Sequence, residues 1–537
     1  MNLKSEQTSQ KLMGVYYTPD EIVDYMLRWC IDAEMSQNIL EPSAGDGQFI
    51  KGLKEISSDS TITAVEIDHE ESQKIPLTLN CHVKVYNQDF YDFYEENRTN
   101  KSFDLVIGNP PYIRYQFLTE KQREFQSDIL KNNNLRPNKL INSWLAFSVA
   151  SIEMLKPGGK FAFVLPTDLL QVSYAKQLRE YFKSIFSELN IVTFENLVFD
   201  GIQQDILIVM GRKKEFIGQE IRLRTIHVQN LQDLNSNIED FAFDEYTDFT
   251  SDKWSSLNLD KNYRRYYDVN LKELTEPITD YAKIEVGITT GNNKFFVVND
   301  SVIREYSLSE FAKPLLGRSV QTFGITHTVD DLQKNIRSNK NTWLLDFNNP
   351  ILNAGAKKYI NLGKKNRLNL GYKLQIRDKW YEVPSIWEPD AFLLRRIGQF
   401  PKLIKNKSEA VSTDTFHRLR LLEDSPYTIE EIIFLFYSSP SLLAIELEGR
   451  VFGGGALEIL PGDMKNVRLP KIKKMQNSNR LFEELDNKFR ENKPIQDIVK
   501  WVDQQIVENS ETKIDFSLTY SAWRQKNSQR YRSNSSK

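Results

Sequence analysis

Two adjacent prolines end an apolar segment in the first third of the chain. Residues 103–108 are apolar except for one aspartate, and they lead directly into Asn109-Pro110-Pro111-Tyr112. Proline lacks the N–H that a strand needs for pairing, so a strand over 103–107 must end here and the chain must turn. Open α/β sheets bind ligands at the carboxyl ends of their strands. The pattern therefore predicts that Asn109 and Tyr112 face a ligand.

The polar groups of this turn suit one kind of ligand. The side-chain carbonyl of Asn109 and the backbone carbonyl of Pro110 accept hydrogen bonds, and the Tyr112 ring offers a flat aromatic face. Together they match a planar ring that carries an exocyclic amino group. Asn-Pro and Pro-Pro are also ordinary turn sequences, so a simple strand-ending turn is the alternative at this point.

Strand-like and helix-like patterns alternate through the first part of the chain. Helical segments are predicted at 20–33, 47–53 and 142–155. Strands are predicted to end at 39–40 and to occupy 62–67, 82–86, 103–107 and 160–165. Alternation of this kind is typical of a mostly parallel sheet with helices on both faces.

Three strand ends carry side chains that suit an adenosine compound. The turn Glu41-Pro42-Ser43-Ala44-Gly45-Asp46-Gly47 follows the first strand, and its glycines allow a ligand close to backbone N–H groups. Glu66 ends the next strand, where a carboxylate can accept both ribose hydroxyls. Asp89 can accept a hydrogen bond from the adenine amino group while Phe90 packs on the ring. Because no phosphate-binding motif is present, we expect an adenosine compound without phosphates.

These motifs resemble those of the S-adenosylmethionine-dependent amino-methyltransferases, over residues 14 to about 212. In chain order, the segments similar to the family's motifs X, I, II, III and IV are Tyr17-Thr18-Pro19, Glu41 to Gly47, Glu66, Asp89-Phe90 and Asn109 to Tyr112. Motif X ahead of motif I, with a long variable region after motif IV, resembles the γ class of DNA adenine-N6 methyltransferases of restriction-modification type. The resemblance therefore implies methyl transfer to adenine N6 in a specific double-stranded DNA sequence.

The resemblance also implies the fold. An α/β catalytic domain is expected, with a seven-stranded, mostly parallel Rossmann-like sheet whose last two strands, at 189–195 and 205–210, form a reversed hairpin. A mixed α+β target-recognition domain is expected to follow it. We assign the catalytic domain to 1–235, a polar connection to 236–270, and the recognition domain with its C-terminal helices to 271–537.

The family motifs imply site residues by their position. S-adenosylmethionine is the implied cofactor, and its implied contacts are Tyr17, Thr18, Glu41, Ser43, Gly45, Gly47, Glu66, Asp89, Phe90 and Asn109. The implied catalytic group consists of Asn109, the Pro110 carbonyl, Tyr112 and Phe199. In the family, the two aromatic rings, here those of Tyr112 and Phe199, form opposite walls around a flipped adenine. No metal is expected, because neither the cysteines nor the histidines have ligand-like spacing.

Other amino-methyltransferases are alternatives. Related motifs occur in cytosine-N4, RNA guanine-N2 and protein-glutamine methyltransferases, although the last two generally lack a long C-terminal domain of this kind. A cytosine-C5 enzyme needs a nucleophilic cysteine that follows a proline, and neither Cys30 nor Cys81 does so. Both cysteines are instead expected to be buried. A non-catalytic DNA-binding subunit is a further alternative, which the intact motifs disfavour.

Charge in the second half points to nucleic acid. The whole chain has a net charge of −3, yet residues 357–407 contain thirteen Lys and Arg against four Asp and Glu, interleaved with aromatic residues. Further basic excess lies at 465–474 and 521–537. Basic segments of this kind indicate phosphate contacts. The candidate DNA contacts, in segments that resemble family recognition domains, are Asn292, Asn293, Thr413, His417 and Arg418.

The sequence contains no membrane signal. No segment reaches the roughly 20 apolar residues that span a bilayer, and the polar N-terminus lacks the apolar core of a signal peptide. We therefore expect a cytoplasmic, monomeric protein without a membrane partner. Its expected partner is double-stranded DNA, and a separate cognate restriction endonuclease is a candidate second component.

Overall fold

In the computed structural model, the strand Phe103–Gly108 ends immediately before Asn109-Pro110-Pro111, where the prolines stop backbone pairing. The chain forms two units, Met1–Arg264 and Arg265–Lys537. The structure describes residues 18–32, 35–53, 57–77, 79, 81–138, 141–198, 205–236, 244–245, 253–349, 351–452, 455–473 and 475–531. The predicted domain limits, at residues 235 and 270, flank the division between the units.

The first unit alternates strands and helices. Its strands are β1 (Asn38–Glu41), β2 (Thr61–Glu66), β3 (His82–Asn87), β4 (Phe103–Gly108), β5 (Leu155–Pro166), β6 (Phe186–Phe194), β7 (Ile206–Lys213), β8 (Arg222–Val228) and β9 (Asp244–Glu245). Its helices are α1 (Asp20–Cys30), α2 (Gln48–Gly52), α3 (His69–Ser72), α4 (Phe90–Asn97), α5 (Glu120–Asn132), α6 (Ser143–Glu153), α7 (Asp168–Gln171), α8 (Lys176–Ile185), α9 (Gln232–Ser236) and α10 (Lys261–Arg265), which ends at the division.

The strands of the first unit form one sheet with the order β3-β2-β1-β4-β5-β7-β6-β8-β9. β1 to β5 run parallel, and β7 is antiparallel to both β5 and β6. The large parallel sheet is thus confirmed. The prediction of seven strands is wrong for the described sheet, which has nine. The edge of β6 pairs with β8, whose Leu223 and Val228 are buried, and β9 then pairs with β8.

Helices cover both faces of this sheet, as the alternating pattern predicts. Phe163 of β5 belongs to a buried cluster with Trp144 of α6. Val164, the next residue, belongs to a different cluster with Ile22 and Met26 of α1. Because successive strand residues point to opposite faces, the two clusters lie on the two sides of the sheet.

The strand order reverses beside β1, which pairs in parallel with β2 on one side and with β4 on the other. Leu40 pairs with both Thr63 and Val106, so the ends of these three strands are close to level. The chain after β1 continues into α2, whose Phe49 belongs to the cluster on one face, whereas Trp144 of α6 packs on the other. A reversal of this kind is where open α/β sheets bind their ligands.

The second unit combines short sheets with helices. Its strands are β10 (Thr275–Pro277), β11 (Ala282–Val286), β12 (Val297–Val298), β13 (Ala312–Leu316), β14 (Thr326–Thr328), β15 (Trp343–Leu345), β16 (Ala391–Leu394), β17 (Arg396–Ile397), β18 (Leu403–Lys407), β19 (Val411–Ser412), β20 (Phe416–Leu421), β21 (Arg450–Val451), β22 (Leu457–Glu458) and β23 (Arg468–Pro470). Its helices are α11 (Lys272–Leu274), α12 (Asn293–Phe296), α13 (Asp300–Glu305), α14 (Val329–Arg337), α15 (Ala354–Lys365), α16 (Tyr372–Gln375), α17 (Ile429–Phe436), α18 (Ser439–Glu448), α19 (Ser478–Arg490), α20 (Ile495–Asn509) and α21 (Phe516–Gln529).

The larger sheets of the second unit have the strand orders β11-β20-β16-β18-β14 and β12-β15-β13-β19. The C-terminal helices that the sequence predicts for this part of the chain include α19 and α20. Within the described ranges of both units, no helix combines the length and apolar character that a bilayer crossing requires.

Candidate active site

The candidate site lies at the carboxyl ends of β1, β2 and β4. The turn that follows β1 contains two glycines in the left-handed region, Gly45 with φ +54° and Gly47 with φ +80°. A Cβ atom on Gly47 would lie 3.1 Å from Pro76, whereas one on Gly45 would meet no described atom within 4 Å. Of these two glycines, Gly45 is the one beside which the described residues leave space, so a ligand can approach the backbone there.

Glu66 ties the end of β2 to this turn. Its Oε2 accepts a hydrogen bond from the Gly45 N–H at 2.7 Å, and its Oε1 accepts one from the Asp68 N–H at 2.8 Å. Burial raises the pKa of Glu66, and hydrogen bonds from the N–H groups of Asp68, Gly45 and Ile67 act in the opposite direction. The two oxygens of a carboxylate offer about four acceptor sites together, so Glu66 can still accept a hydrogen bond from a ligand hydroxyl.

Glu41, the last residue of β1, is a buried carboxyl group. It is 1% exposed, and its Oε2 has no hydrogen-bond partner among the described residues. Burial raises its pKa well above the ordinary value, and the nearby charges of Glu66 and Asp46 raise it further. Buried polar atoms are nearly always paired, so Glu41 fits a ligand that brings a donor or a positive charge.

Asp89 and Phe90 follow β3 and begin α4. Asp89 Oδ1 accepts the Tyr91 N–H at 2.9 Å, and Oδ2 accepts Gln122 Nε2 at 2.8 Å. The Phe90 side chain is buried, with its ring centroid 4.4 Å from that of Phe147. Both residues thus have partners within the unit, and their contact with an adenine ring stays a prediction.

Asn109 is held by three other parts of the site. Its Nδ2 donates to Thr18 Oγ1 at 3.2 Å, and its backbone carbonyl accepts from Ser43 Oγ at 3.1 Å. Its Oδ1 accepts from the Tyr112 hydroxyl at 3.1 Å. That hydroxyl also lies 3.0 Å from the Val164 carbonyl oxygen on β5. The amide of Asn109 and the ring of Tyr112 are therefore oriented together.

Ser143, which the sequence analysis did not identify, holds the peptide groups on both sides of Tyr112. Its Oγ donates to the Pro111 carbonyl and accepts from the Ile113 N–H at 2.8 Å. Its own N–H donates to the Ile113 carbonyl at 2.9 Å. The feature of the sequence that could have indicated Ser143 is its place as a polar first residue of the otherwise apolar helix α6. The neighbouring Pro110 is buried, and its carbonyl makes no hydrogen bond with any described residue.

The remaining predicted site residues fall into three groups. Tyr17 and Phe199 lie outside the described residues. Asn292 caps α12 by accepting the Lys294 N–H at 3.1 Å, and the exposed Asn293 accepts a hydrogen bond from the Thr290 hydroxyl. Both asparagines keep polar atoms near the surface.

The third group of predicted residues is buried in the second unit. Thr413, His417 and Arg418 are 2%, 0% and 4% exposed. His417 Nε2 donates to the Ile459 carbonyl at 2.7 Å, and burial lowers the pKa of its imidazole. The Arg418 guanidinium lies 4.2 Å from the ring centroid of Trp387. These side chains serve the interior of the second unit, and this burial disfavours the predicted contact with DNA.

No metal centre is found in the described part of the chain. No group of three or more His, Cys, Asp or Glu side chains there is arranged to hold a metal ion. Cys30 and Cys81 are free thiols and are buried, which confirms the prediction for both. Burial raises the pKa of the Cys30 thiol to about 12, so it is protonated and unreactive near neutral pH.

Two family models match the chain. Residues 32–199 match the Eco57I restriction-modification methylase, and residues 251–507 match the C-terminal domain of the Type II methyltransferase M.Eco57I. The Type II methyltransferase M.AccI of Acinetobacter calcoaceticus is 23% identical over 479 residues, which cover 85% of this chain and 85% of that protein. M.HincII of Haemophilus influenzae is 30% identical over 207 residues, 38% of each chain.

A solved structure shares the fold. The Type IIL restriction-modification enzyme MmeI, in complex with DNA, is similar with a TM-score of 0.51 and 11% identity, over 95% of this chain and 75% of that chain. The sequence relatives are methyltransferases of restriction-modification systems, and the similarity to them extends into both units of this chain.

The contacts of Ser143 generate a stability prediction. We expect Ser143→Ala to lower the free energy of unfolding of the first unit by about 1–3 kcal/mol, because the Pro111 carbonyl and the Ile113 N–H lose their partner. Ser148→Ala is the control, since the buried Ser148 hydroxyl donates only to the Trp144 carbonyl within the same helix. Urea unfolding measures both variants. Equal losses in the two would contradict a special role for Ser143.

Proposed function

We propose that this protein transfers a methyl group from S-adenosylmethionine to N6 of an adenine in a specific double-stranded DNA sequence, as the modification enzyme of a restriction-modification system. The observation that carries the proposal is the shared position of the Asn109 amide, the Tyr112 ring and the Gly45–Glu66 contact at one sheet edge. The match of residues 32–199 to a restriction-modification methylase supports it.

The acidic groups of the site fit the proposed cofactor. S-adenosylmethionine carries a ribose, an ammonium group and a positively charged sulfonium that supplies the methyl group. Glu66 can still accept a hydrogen bond from the ribose, and each oxygen of Asp89 keeps a lone pair for the adenine amino group. The Glu41 carboxyl group, whose Oε2 has no partner among the described residues, is suited to a cation, because a nearby positive charge offsets the burial that raises its pKa.

The residues after β4 suit the target amine. An adenine inside a duplex cannot present N6 to a methyl donor, so the base must rotate out of the helix. In the proposal, the N6 hydrogens donate to Asn109 Oδ1 and to the Pro110 carbonyl, which directs the nitrogen lone pair to the methyl group. Tyr112 stacks on the base, and Phe199 forms the opposite wall. As the N–C bond forms, the S–C bond breaks and S-adenosylhomocysteine would leave, and the methylated nitrogen, which is then acidic, would lose a proton to solvent. Positioning of two bound reactants supplies on the order of 7–11 kcal/mol, so no strong base is needed.

The domain assignment follows the same proposal. Residues 1–235 form the catalytic domain, 236–270 the connection and 271–537 the target-recognition domain, in the motif order of the γ class. The match of residues 251–507 to the C-terminal domain of a Type II methyltransferase supports the last assignment. Asn292 and Asn293 stay candidates for DNA contact because they lie near the surface.

One assay tests the function as a whole. Labelled S-adenosylmethionine is incubated with the protein and with duplex DNA, RNA or protein substrates, and the labelled product is identified after digestion. We expect N6-methyladenine from duplex DNA. N4-methylcytosine, or label in RNA or protein alone, would favour one of the competing methyltransferase classes. Binding of DNA without any transfer would indicate a non-catalytic subunit.

Asn109→Ala tests the amine clamp. We expect kcat to fall by about 100-fold or more, as when another positioned hydrogen-bonding group is removed from an active site. Cofactor affinity should change little, because Asn109 acts mainly on the target. Asn133→Ala is the control, since its side chain follows α5 and donates to the Ile129 carbonyl in the last turn of that helix. Steady-state kinetics and calorimetric cofactor binding separate the two effects, and an equal loss in both quantities would refute this role for Asn109.

Tyr112 allows its ring and its hydroxyl to be tested separately. Tyr112→Phe keeps the aromatic face but removes the hydroxyl that contacts Asn109 Oδ1 and the Val164 carbonyl. Tyr112→Ala removes both, and loss of base stacking costs about 1–3 kcal/mol. We therefore expect the Ala variant to transfer methyl groups to duplex DNA at least about fivefold more slowly than the Phe variant. Equal rates would remove the stacking role.

A further inference from the structure

A segment of the second unit carries many cations and no acid. Residues 351–377 contain seven Lys and Arg and neither Asp nor Glu. Arg377 serves the interior, since it donates to the Thr289 and Glu382 carbonyls, each at 3.0 Å. The other six side chains are exposed, and we call them the basic surface: Lys357, Lys358, Lys364, Lys365, Arg367 and Lys373.

The basic surface lacks compensating acids. None of its six cations forms an ion pair with another described residue, whereas other exposed lysines of the same unit do. Lys379 lies 2.8 Å from Glu382, and Lys471 lies 2.6 Å from Glu276. Uncompensated like charges repel one another and attract anions, so this surface favours an anionic partner.

Helix α15 turns four of these cations toward solvent. Its buried face packs on α12, where the ring centroids of Tyr359 and Phe295 lie 4.8 Å apart in a stacked arrangement. The Tyr359 hydroxyl also donates a hydrogen bond to the Phe295 carbonyl at 2.9 Å. The successive residues of a helix are about 100° apart around its axis. The four lysines of α15 therefore share an arc of about 120° on its exposed side, and they are Lys357, Lys358, Lys364 and Lys365. The arrangement presents a row of positive charge along one helix face.

The basic surface continues to the turn that precedes α12. A Cβ atom on Gly291 would lie 2.8 Å from Leu374 Cδ2 and 3.4 Å from Lys373 Cβ, so this turn and α16 are in contact. Asn292 and the exposed Lys294 therefore adjoin the basic surface. Tyr372, beside Lys373, is 78% exposed and offers a flat ring among the cations.

We propose that the basic surface binds the phosphate backbone of the DNA duplex that carries the target base; this inference rests on the proposed function. Duplex DNA has one negative charge per about 1.7 Å of its axis, which a row of unpaired lysines can neutralise. The exposed ring of Tyr372 contacts the sugar-phosphate edge, where tyrosine combines apolar area with a polar tip. Asn292 and Asn293, at the end of the same surface, are thereby directed to the duplex.

The test compares two triple variants with the same change in charge. The first replaces Lys364, Lys365 and Lys373 with Gln. The control replaces Lys283, Arg304 and Lys493 with Gln, because each of these exposed cations pairs with an acid and lies outside the basic segments of the sequence. Fluorescence anisotropy measures the affinity for duplex DNA over a series of salt concentrations. A plot of log K against log salt has a negative slope, and each lost phosphate contact should make it shallower by about 0.9. We therefore expect the slope of the first variant to be shallower by about 2.7 and that of the control to change little.

Several outcomes would overturn the inference. The first is a salt slope for duplex DNA that is unchanged in the first variant, and the second is an equal loss of slope in both variants. The third is a first variant that binds duplex DNA normally but has lost affinity for single-stranded RNA or for anionic vesicles, which are used as alternative ligands. Thermal unfolding of both variants establishes that they are folded. Tyr372→Ala should weaken duplex binding by about fivefold without changing the salt slope, because it removes no charge.

The outcome for the basic surface is separate from that for the chemistry. If the wild-type protein makes N4-methylcytosine and the first variant alone loses the expected part of the salt slope, the adenine assignment fails and the basic surface stands. If it makes N6-methyladenine and the first variant keeps the wild-type slope, the surface assignment fails alone.

Discussion

Parallel pairing of β1 with both β2 and β4 is the constraint on which the candidate site depends. The register places Leu40 opposite Thr63 and Val106, so the three strands reach the same edge of the sheet. The hydrogen bonds from Gly45 to Glu66 and from Ser43 to the Asn109 carbonyl then connect neighbouring strand ends. A slip of one residue in either pair would turn these side chains to the opposite faces of the sheet.

Charge is distributed in opposite ways in the two units. The site at the end of β1 contains Glu41 and Glu66, and burial, together with repulsion from Glu66 and Asp46, raises the pKa of Glu41. The positive charge of a ligand would offset these effects on the pKa, which suits the proposed sulfonium cofactor. In the second unit, residues 351–377 carry only positive charges. The net charge of −3 is thus the sum over regions of opposite charge, and two of these regions favour ligands of opposite sign.

Sequence patterns predicted much of the site because they act locally. The prolines after Gly108 end β4, and the parallel order of the strands follows from their alternation with helices. Residues of the predicted motifs meet through the contacts of Asn109 with Thr18 and Ser43. The same local signals did not predict the place of β8 in the sheet. Its alternation of polar and apolar residues does not identify β6 as the strand with which it pairs.

The sequence by itself determined where strands end and which side chains stand at those ends, because proline, glycine and hydrophobic periodicity act over a few residues. The tertiary structure alone decided which polar side chains are available. Ser143 became a support for Tyr112 through the carbonyl of Pro111, 32 positions earlier in the chain. Arg418 was withdrawn from solvent by a hydrogen bond to the Val286 carbonyl, 132 positions away. Contacts at such separations depend on how the elements pack, and that information is not present in any local pattern.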